Sequence, residues 1–442
     1  MTFQVQDRLA SPPLSSSTEV ITHQYRRYAL LLLLLVLTAS HVDRQILGIL
    51  LEPIKRELLL SDTQLGFLSG VAFAIFYATL GIPMAMWADR GNRRNIITLA
   101  LSVWSGMTVL CGMAANFWQL ALARIGVGIG EAGSNPPSHS IISDLYPLAE
   151  RSKAMATFAL GVNFGIILGF LLGGWINQWY GWRAAFWVAG APGLVLALIV
   201  RLTLPEPARG YAEGLQGVSQ EVPRLRAVVR HMFSTPALRH IIAGTTLSAF
   251  IGYGVVLWIP TFLARSHGMQ SGEIGTVLAL FFGVLGALGT YLGGFFADRL
   301  GKRDVRWQVW VVGVTILIAF PFTVLYYLAE SKELALAGAL LPSLLGGVYL
   351  GPSFALNQSL VTIRMRSVAS AIILFIVNII GLGLGPLTVG ILSDFFQPHY
   401  GDESLRYALT CLALVNLWTA SHYFLAARTL RTDLARVQQL SS

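Results

Sequence analysis

Twelve apolar runs, each long enough to cross a bilayer, constrain this chain more than any other feature. A spanning helix needs about 20 mostly apolar residues. Such runs fall at 28–51, 64–88, 95–115, 117–142, 154–177, 184–203, 238–264, 274–297, 308–328, 334–358, 368–393 and 405–427. The composition agrees: 55% of the 442 residues are hydrophobic and 12% charged, whereas a soluble domain carries roughly 25% charged residues. So little polar surface cannot cover a water-facing exterior. That excludes a soluble enzyme, a nucleic-acid-binding domain and a disordered chain. The expected fold class is an all-α membrane protein solvated by lipid.

One sizeable gap, 204–237, contains Pro205, Pro207, Pro223 and Pro236. It reads as a linker between two six-helix bundles, 28–203 and 238–427, with tails at 1–27 and 428–442. Within it, Arg224, Arg226 and Arg230 alternate with Leu225, Val228 and Val229, a pattern that suits an interfacial amphipathic helix or a solvated basic linker. With the amino terminus inside, 23 of the 31 Lys and Arg residues, from Arg8 to Arg436, fall on the inner side. Six fall outside, and Arg44 and Arg124 lie within spans. The positive-inside rule therefore predicts that both termini and the linker are cytoplasmic. The net charge of +9 is an orientation signal, and no nucleic-acid partner is expected. The first twenty residues are polar, with no apolar stretch typical of a cleaved signal peptide. Cys111 and Cys411 are the only cysteines, too few and too far apart for a disulfide framework or a zinc site. Neither a metal nor a cofactor is expected.

The halves repeat. Ala85-Met-Trp-Ala-Asp89-Arg90-Gly-Asn92-Arg93-Arg94 follows span two, and Gly294-Phe-Phe-Ala-Asp298-Arg299-Leu-Gly301-Lys302-Arg303 follows span eight. An ordinary basic turn would explain either copy alone. Both resemble the G-x3-D-R-x-G-R/K-R/K loop of the major facilitator superfamily, with Ala85 and Asn92 departing from the pattern in the first copy. The resemblance implies two pseudo-symmetric six-helix bundles built from inverted repeats, with a midplane site between them. In such a protein Asp89, Arg90, Arg93, Asp298, Arg299 and Arg303 act as gating loops. Asp89 and Asp298 would pair there with Arg side chains or a facing helix terminus when the cavity opens outward. Exposed pairs of this kind are worth only about 0.2–1 kcal/mol, small enough for ligand and proton binding to reverse.

The chemistry concentrates in spans one and four. Span one carries His41-Val-Asp43-Arg44, and span four carries Arg124-Ile-Gly-Val-Gly128-Ile-Gly130-Glu131. Arg124 and Glu131 are two helical turns apart and share a face. At about 1.5 Å per residue, Asp43 and Arg124 both lie roughly 8–10 Å below the outer boundary, with Glu131 about 10 Å deeper. An Asp43–Arg124 or Asp43–Arg44 ion pair is predicted in at least one state. Ionisable residues inside spans by default mark substrate paths or proton relays; the alternative is a fixed pair holding spans one and four together. Burial favours a neutral carboxyl and a nearby guanidinium favours the carboxylate, so a pair that makes and breaks would switch proton affinity. Asp43 and Glu131 are therefore the candidate proton carriers. Arg44 and Arg124 are their charge partners or hold an anionic head group.

These residues, together with the Asp89-Arg90-x-Asn92-Arg93 loop, resemble the Spinster family. That resemblance implies a proton-linked carrier of lysophospholipid or sphingolipid type. The second half has no mid-depth charge; its polar and aromatic groups Tyr253, Trp258, Tyr349, Phe354, Asn357 and Asn378 are candidate cavity residues, although lipid-facing positions would explain any one of them. The Gly161, Gly165, Gly169 and Gly173 row of span five resembles an antiporter motif but has Phe170 in place of its proline, and close helix packing explains it as well. Ser134-Asn-Pro136-Pro137 should break span four. The expected protein is a monomer in a bacterial cytoplasmic membrane, with protons, lipid and a small amphiphile as partners. A multidrug or organic-anion carrier of the same superfamily remains an alternative, as does a scramblase or channel. A membrane enzyme is excluded by the lack of any catalytic His/Cys/Asp spacing.

Overall fold

A computed structural model describes residues 22–209 and 225–441. The proposed tail residues 1–21, with Arg8, and the linker stretch 210–224, with Arg224, lie outside the described residues. The described residues are almost entirely helical. The first half comprises α1 (His23–Leu58), α2 (Asp62–Ser69), α3 (Val71–Arg90), α4 (Arg93–Cys111), α5 (Phe117–Glu131), α6 (Asn135–Leu145) and α7 (Leu148–Thr203). After α8 (Leu225–Ser234), the second half comprises α9 (Pro236–His267), α10 (Ser271–Leu278), α11 (Gly286–Gly301), α12 (Trp307–Leu328), α13 (Lys332–Leu345), α14 (Leu350–Ser359), α15 (Arg366–Ile376), α16 (Gly385–Tyr400) and α17 (Ser404–Ser441). π-helical segments at Ala279–Leu285 and Val377–Leu384 join α10 to α11 and α15 to α16.

Among the described residues, nine stretches are long and apolar enough to cross a membrane. Their relation to the twelve expected spans is set by turns. Spans five and six are the two limbs of α7, which reverses at Gly181, where φ is 83° and a side chain would be strained. Spans eleven and twelve form one continuous stretch that turns at Gly401, with φ 54°. Span four is the interrupted pair α5 and α6. Its break follows Glu131 directly, and Pro136 and Pro137 sit in the first turn of α6, where missing N–H donors cost nothing.

Lipid chains are as apolar as Leu, so contact between spans depends on close packing more than on a hydrophobic drive. The glycine row of α7 provides it along α1. A Cβ at Gly161 would press on Leu34 and Leu37, one at Gly169 on Val42 and Gln45, and one at Gly173 on Ile46 and Ile49. That row is therefore a helix-packing seam. The described part of the linker contains an amphipathic helix, α8. Val228 and Met232 are buried against the second half, Arg226 and Arg230 are exposed, and the His231 ring meets the Leu360 carbonyl at 2.9 Å.

Candidate transport site

The charged residues of spans one and four meet in the interior. In α1, Ser40, Asp43 and Arg44 project at helical spacing toward α4 and α5. Arg44 Nε lies 2.7 Å from Glu131 Oε2, which also accepts from Ser40 Oγ at 2.9 Å. Asp43, 2% exposed, accepts from Thr108 Oγ1 at 3.1 Å, and its second oxygen has no protein partner. Arg124 is as deeply buried, with Nε and Nη1 unpartnered. Its guanidinium carbon sits 5.5 Å from the Phe73 ring centre, while that of Arg44 lies 5.0 Å from Phe73 and 4.5 Å from Tyr77. The ion pair in this conformation is thus Arg44–Glu131, and neither expected pairing of Asp43 is made. Two acids and two cations share one pair, leaving Asp43 and Arg124 each without an ionic partner among the described residues. Buried polar groups are normally satisfied, and exceptions call for an explanation.

A cavity of ≈ 440 Å³ adjoins this cluster. His41, Arg44, Gln45 and Arg124 line it from the first half. The second half supplies a mostly apolar wall that includes Tyr253, Val256, Ile316, Ala319 and Tyr349. Phe282 and Leu382, from the two π-helical segments, also face it; such segments often occur at functional sites because they re-aim side chains.

Of the six residues expected in the cavity, Tyr253 and Tyr349 line it. Trp258 does not: it is fully buried in the wall, donating from Nε1 to the Pro386 carbonyl at 2.9 Å and bracing α9 against α16. Asn357 is buried with both amide atoms unpartnered. Phe354 packs against the second-half core around Ile241 and Tyr423, and Asn378 is half-buried in the second π-helical segment. None of these last three lines the cavity.

A charged cluster not singled out from the sequence closes the end of the molecule away from the chain termini. Arg265 donates to both oxygens of Asp62 at 2.7 and 2.9 Å, and to Glu52 at 2.7 Å. Lys55 Nζ and Ser393 Oγ also donate to Asp62, at 2.7 and 2.6 Å. The Asp394 carboxylate accepts from the backbone N–H groups of Asp62 and Thr63, where the α2 helix dipole favours an anion. Local sequence sets this up. Leu59 in the left-handed region turns the chain, and a Ser61–Gln64 capping box starts α2. Glycines then bring the backbones together, so that a Cβ at Gly66 would lie 2.6 Å from the Pro386 carbonyl, and one at Gly70 would run into Gly383. At the same end, Ser271 Oγ donates to the Gly174 carbonyl at 3.0 Å and Gly272 N–H to Gln178 at 2.9 Å.

At the terminal end, no hydrogen bond or ion pair among the described residues joins the halves. Arg93 is completely buried and bonds Asp144 and Ser140 of the first half and Glu206 and the Pro207 carbonyl at the start of the linker. In the second half, Arg431 reaches Asp304 at 2.7 Å, and hydrogen bonds from Arg306 hold the Asp304 carboxyl below the usual carboxylate range. Asp89, Arg90, Asp298, Arg299 and Arg303 are exposed, with no side-chain partner among the described residues.

With the site's geometry established, comparison with known proteins places the fold. Residues 33–386 match the family model described as Major Facilitator Superfamily. An MFS-type efflux pump of Mycolicibacterium smegmatis is 37% identical over 91% of this chain and 92% of its own length. The sphingosine-1-phosphate transporter SPNS2 of Danio rerio is 27% identical over 84% of this chain and 78% of its own. A crystal structure of a bacterial homolog to the human lysosomal transporter Spinster, inward-facing and unoccupied, superposes with a TM-score of 0.85 at 33% identity, covering 93% of this chain and 99% of that one. The chain therefore belongs to the Major Facilitator Superfamily of transporters, as a multi-pass integral membrane protein that resembles the superfamily's Spinster members.

Proposed function

We propose that the protein is a proton-coupled secondary carrier of an amphiphilic, anionic, lipid-like substrate, working as a monomer by alternating access. The observation that carries this reading is the division of the cavity walls: guanidinium groups on the first half face an uncharged, apolar-aromatic second half. An anionic head group would meet Arg124, whose buried donors have no carboxylate partner, and its chain would lie along the Tyr253, Val256 and Ile316 side. Sphingosine-1-phosphate, for which the Danio rerio relative is named, has this chemistry.

Asp43 and Glu131 carry the proton. In the conformation described, Arg44 pairs with Glu131 while Asp43 makes no ion pair, so Asp43 is the group to load and discharge. If Arg44 or Arg124 swings to Asp43, the roles of the two acids reverse. The bundles 28–203 and 238–427 rock about the cavity. The Asp62–Arg265 cluster then serves as the outer gate, and the repeated Asp-Arg loops serve as the inner one, unlatched in this conformation. With the termini cytoplasmic, the orientation that the distribution of basic residues supports, the conformation faces inward. The membrane is a bacterial cytoplasmic membrane.

The test is a panel in proteoliposomes with an imposed pH gradient: lysophosphatidic acid, sphingosine-1-phosphate, benzoate and glucose. Saturable, gradient-dependent flux of the first two supports the reading. Transport of glucose with no amphiphile uptake overturns it. A second reading, efflux of diverse organic compounds, is favoured by the Mycolicibacterium relative, and benzoate-selective flux would support an organic-anion carrier instead. Unsaturable flux insensitive to pH would indicate a channel or scramblase.

A further inference from the structure

The cavity's charged wall contains a group that the proton-coupling scheme does not use. His41 lies three residues before Arg44 and four before Gln45, so the three share one face of α1, and all three line the cavity. The His41 Nδ1 is 3.0 Å from the Leu37 carbonyl. A carbonyl oxygen can only accept, so Nδ1 carries the hydrogen. In the neutral ring that leaves Nε2 as a lone pair. Nε2 bonds nothing in the protein and is not among the buried unpartnered atoms, so it is the accessible edge of a cavity-lining ring.

The ring is also fixed in place. α7 passes directly behind it at Gly165, where a Cβ would collide with the His41 Cβ and lie 2.7 Å from the Thr38 carbonyl. The helix pair can approach this closely only because residue 165 has no side chain. The Leu37 hydrogen bond and the α7 backbone therefore hold the imidazole in one tautomer and direction, as second-shell partners orient a ligating histidine.

We propose that His41 is a specificity-determining residue that accepts a hydrogen bond from a donor on the substrate's head group, a hydroxyl beside the anionic part. This rests on the amphiphile-carrier reading above. Arg44, Arg124 and the amide N–H of Gln45 can all donate, and they suit phosphate or carboxylate oxygens. His41 Nε2 adds a fixed acceptor on the same wall. A head group with an anion and a neighbouring hydroxyl would satisfy both kinds of partner. One whose hydroxyl is capped would leave the acceptor unpaired, a loss that discriminates against the analogue.

The experiment uses the full-length purified protein in nanodiscs with two radiolabelled probes. One is lysophosphatidic acid, with its free glycerol hydroxyl, and the other is the same molecule with that hydroxyl methylated. A hydrogen bond of ordinary net worth gives about a three- to tenfold preference of the wild type for the free hydroxyl. His41→Leu should bind both probes alike, at the wild-type affinity for the methyl ether. His41→Gln, which restores an acceptor at similar reach, should recover part of the preference. Equal wild-type affinities for the two probes would overturn the assignment without touching the carrier reading, and so would an equal loss of both in His41→Leu. If the wild type binds neither probe, the amphiphile reading falls, and this assignment falls with it.

Discussion

The two halves share a fold and a loop motif but build opposite cavity walls. The first half buries Asp43, Arg124 and Glu131, and half-buries Arg44, with one ion pair among the four. The second places tyrosines, small polar groups and aliphatic side chains at the same depth, with no charge. An ion in a low-dielectric interior costs several kcal/mol unless it is paired. Pseudo-symmetry therefore does not preserve charge by default, and the charges kept on one side are the groups to which the proposed coupling is assigned. The uncharged side is left to apolar contact and shape.

The largest effect should come from breaking the first half's pair. Glu131→Gln leaves Arg44, half-buried on the cavity wall, without a counter-charge, a change worth less than the roughly 3–5 kcal/mol of a fully buried pair. A clear fall in Tm and loss of gradient-driven uptake are expected. Adding Arg44→Gln should restore Tm, since removing both members of a buried pair is often neutral, but should leave uptake abolished. Recovery of uptake in the double variant would make the pair merely structural. The next largest effect concerns the gate between the halves. Asp62→Asn weakens a carboxylate that holds Arg265, Lys55 and Ser393, and should shift the population toward outward opening by about tenfold or more. Spin-label distances between the exposed Leu59 and His399 sites at that end would report the widening; an unchanged distribution would show that the glycine contacts alone close that end. A smaller effect should follow from filling the second half. Ala319→Trp should weaken binding of a long-chain lysophosphatidic acid by about tenfold while sparing a short-chain one. Equal weakening of both would deny the second half its role as the chain-binding wall.

Much of this was legible in the chain. The apolar runs foretold an all-helical membrane fold, the prolines at 136 and 137 the break between α5 and α6, and the rarity of charge the cluster of α1 and α5. Other features were not legible, for identifiable reasons. Glu52, Lys55, Asp62, Arg265 and Asp394 sit near helix ends, where charges are common and cheap. Only pairings across 203 to 332 positions of sequence reveal that they join the two halves. Trp258 and Tyr253 are both aromatic residues on one apolar helix, and nothing local says that one braces Pro386 while the other faces the cavity. The partner of Arg44 was equally hidden, because depth along two helices does not fix rotation about their axes. His41 is the converse case: its neighbours in sequence drew attention to the helix, but its tautomer and its support from Gly165 emerge only when α1 and α7 are seen together.

The central claim is that the first half couples protons to transport through Asp43. The most direct measurement is uptake of lysophosphatidic acid into proteoliposomes with and without an imposed pH gradient, comparing wild type with Asp43→Asn. Asparagine keeps the size and the hydrogen bond to Thr108 but cannot take up or release a proton. The variant is expected to bind and exchange substrate at equilibrium while its response to the gradient disappears. An Asp43→Asn protein that still accumulates substrate with the wild-type dependence on the gradient would contradict the claim.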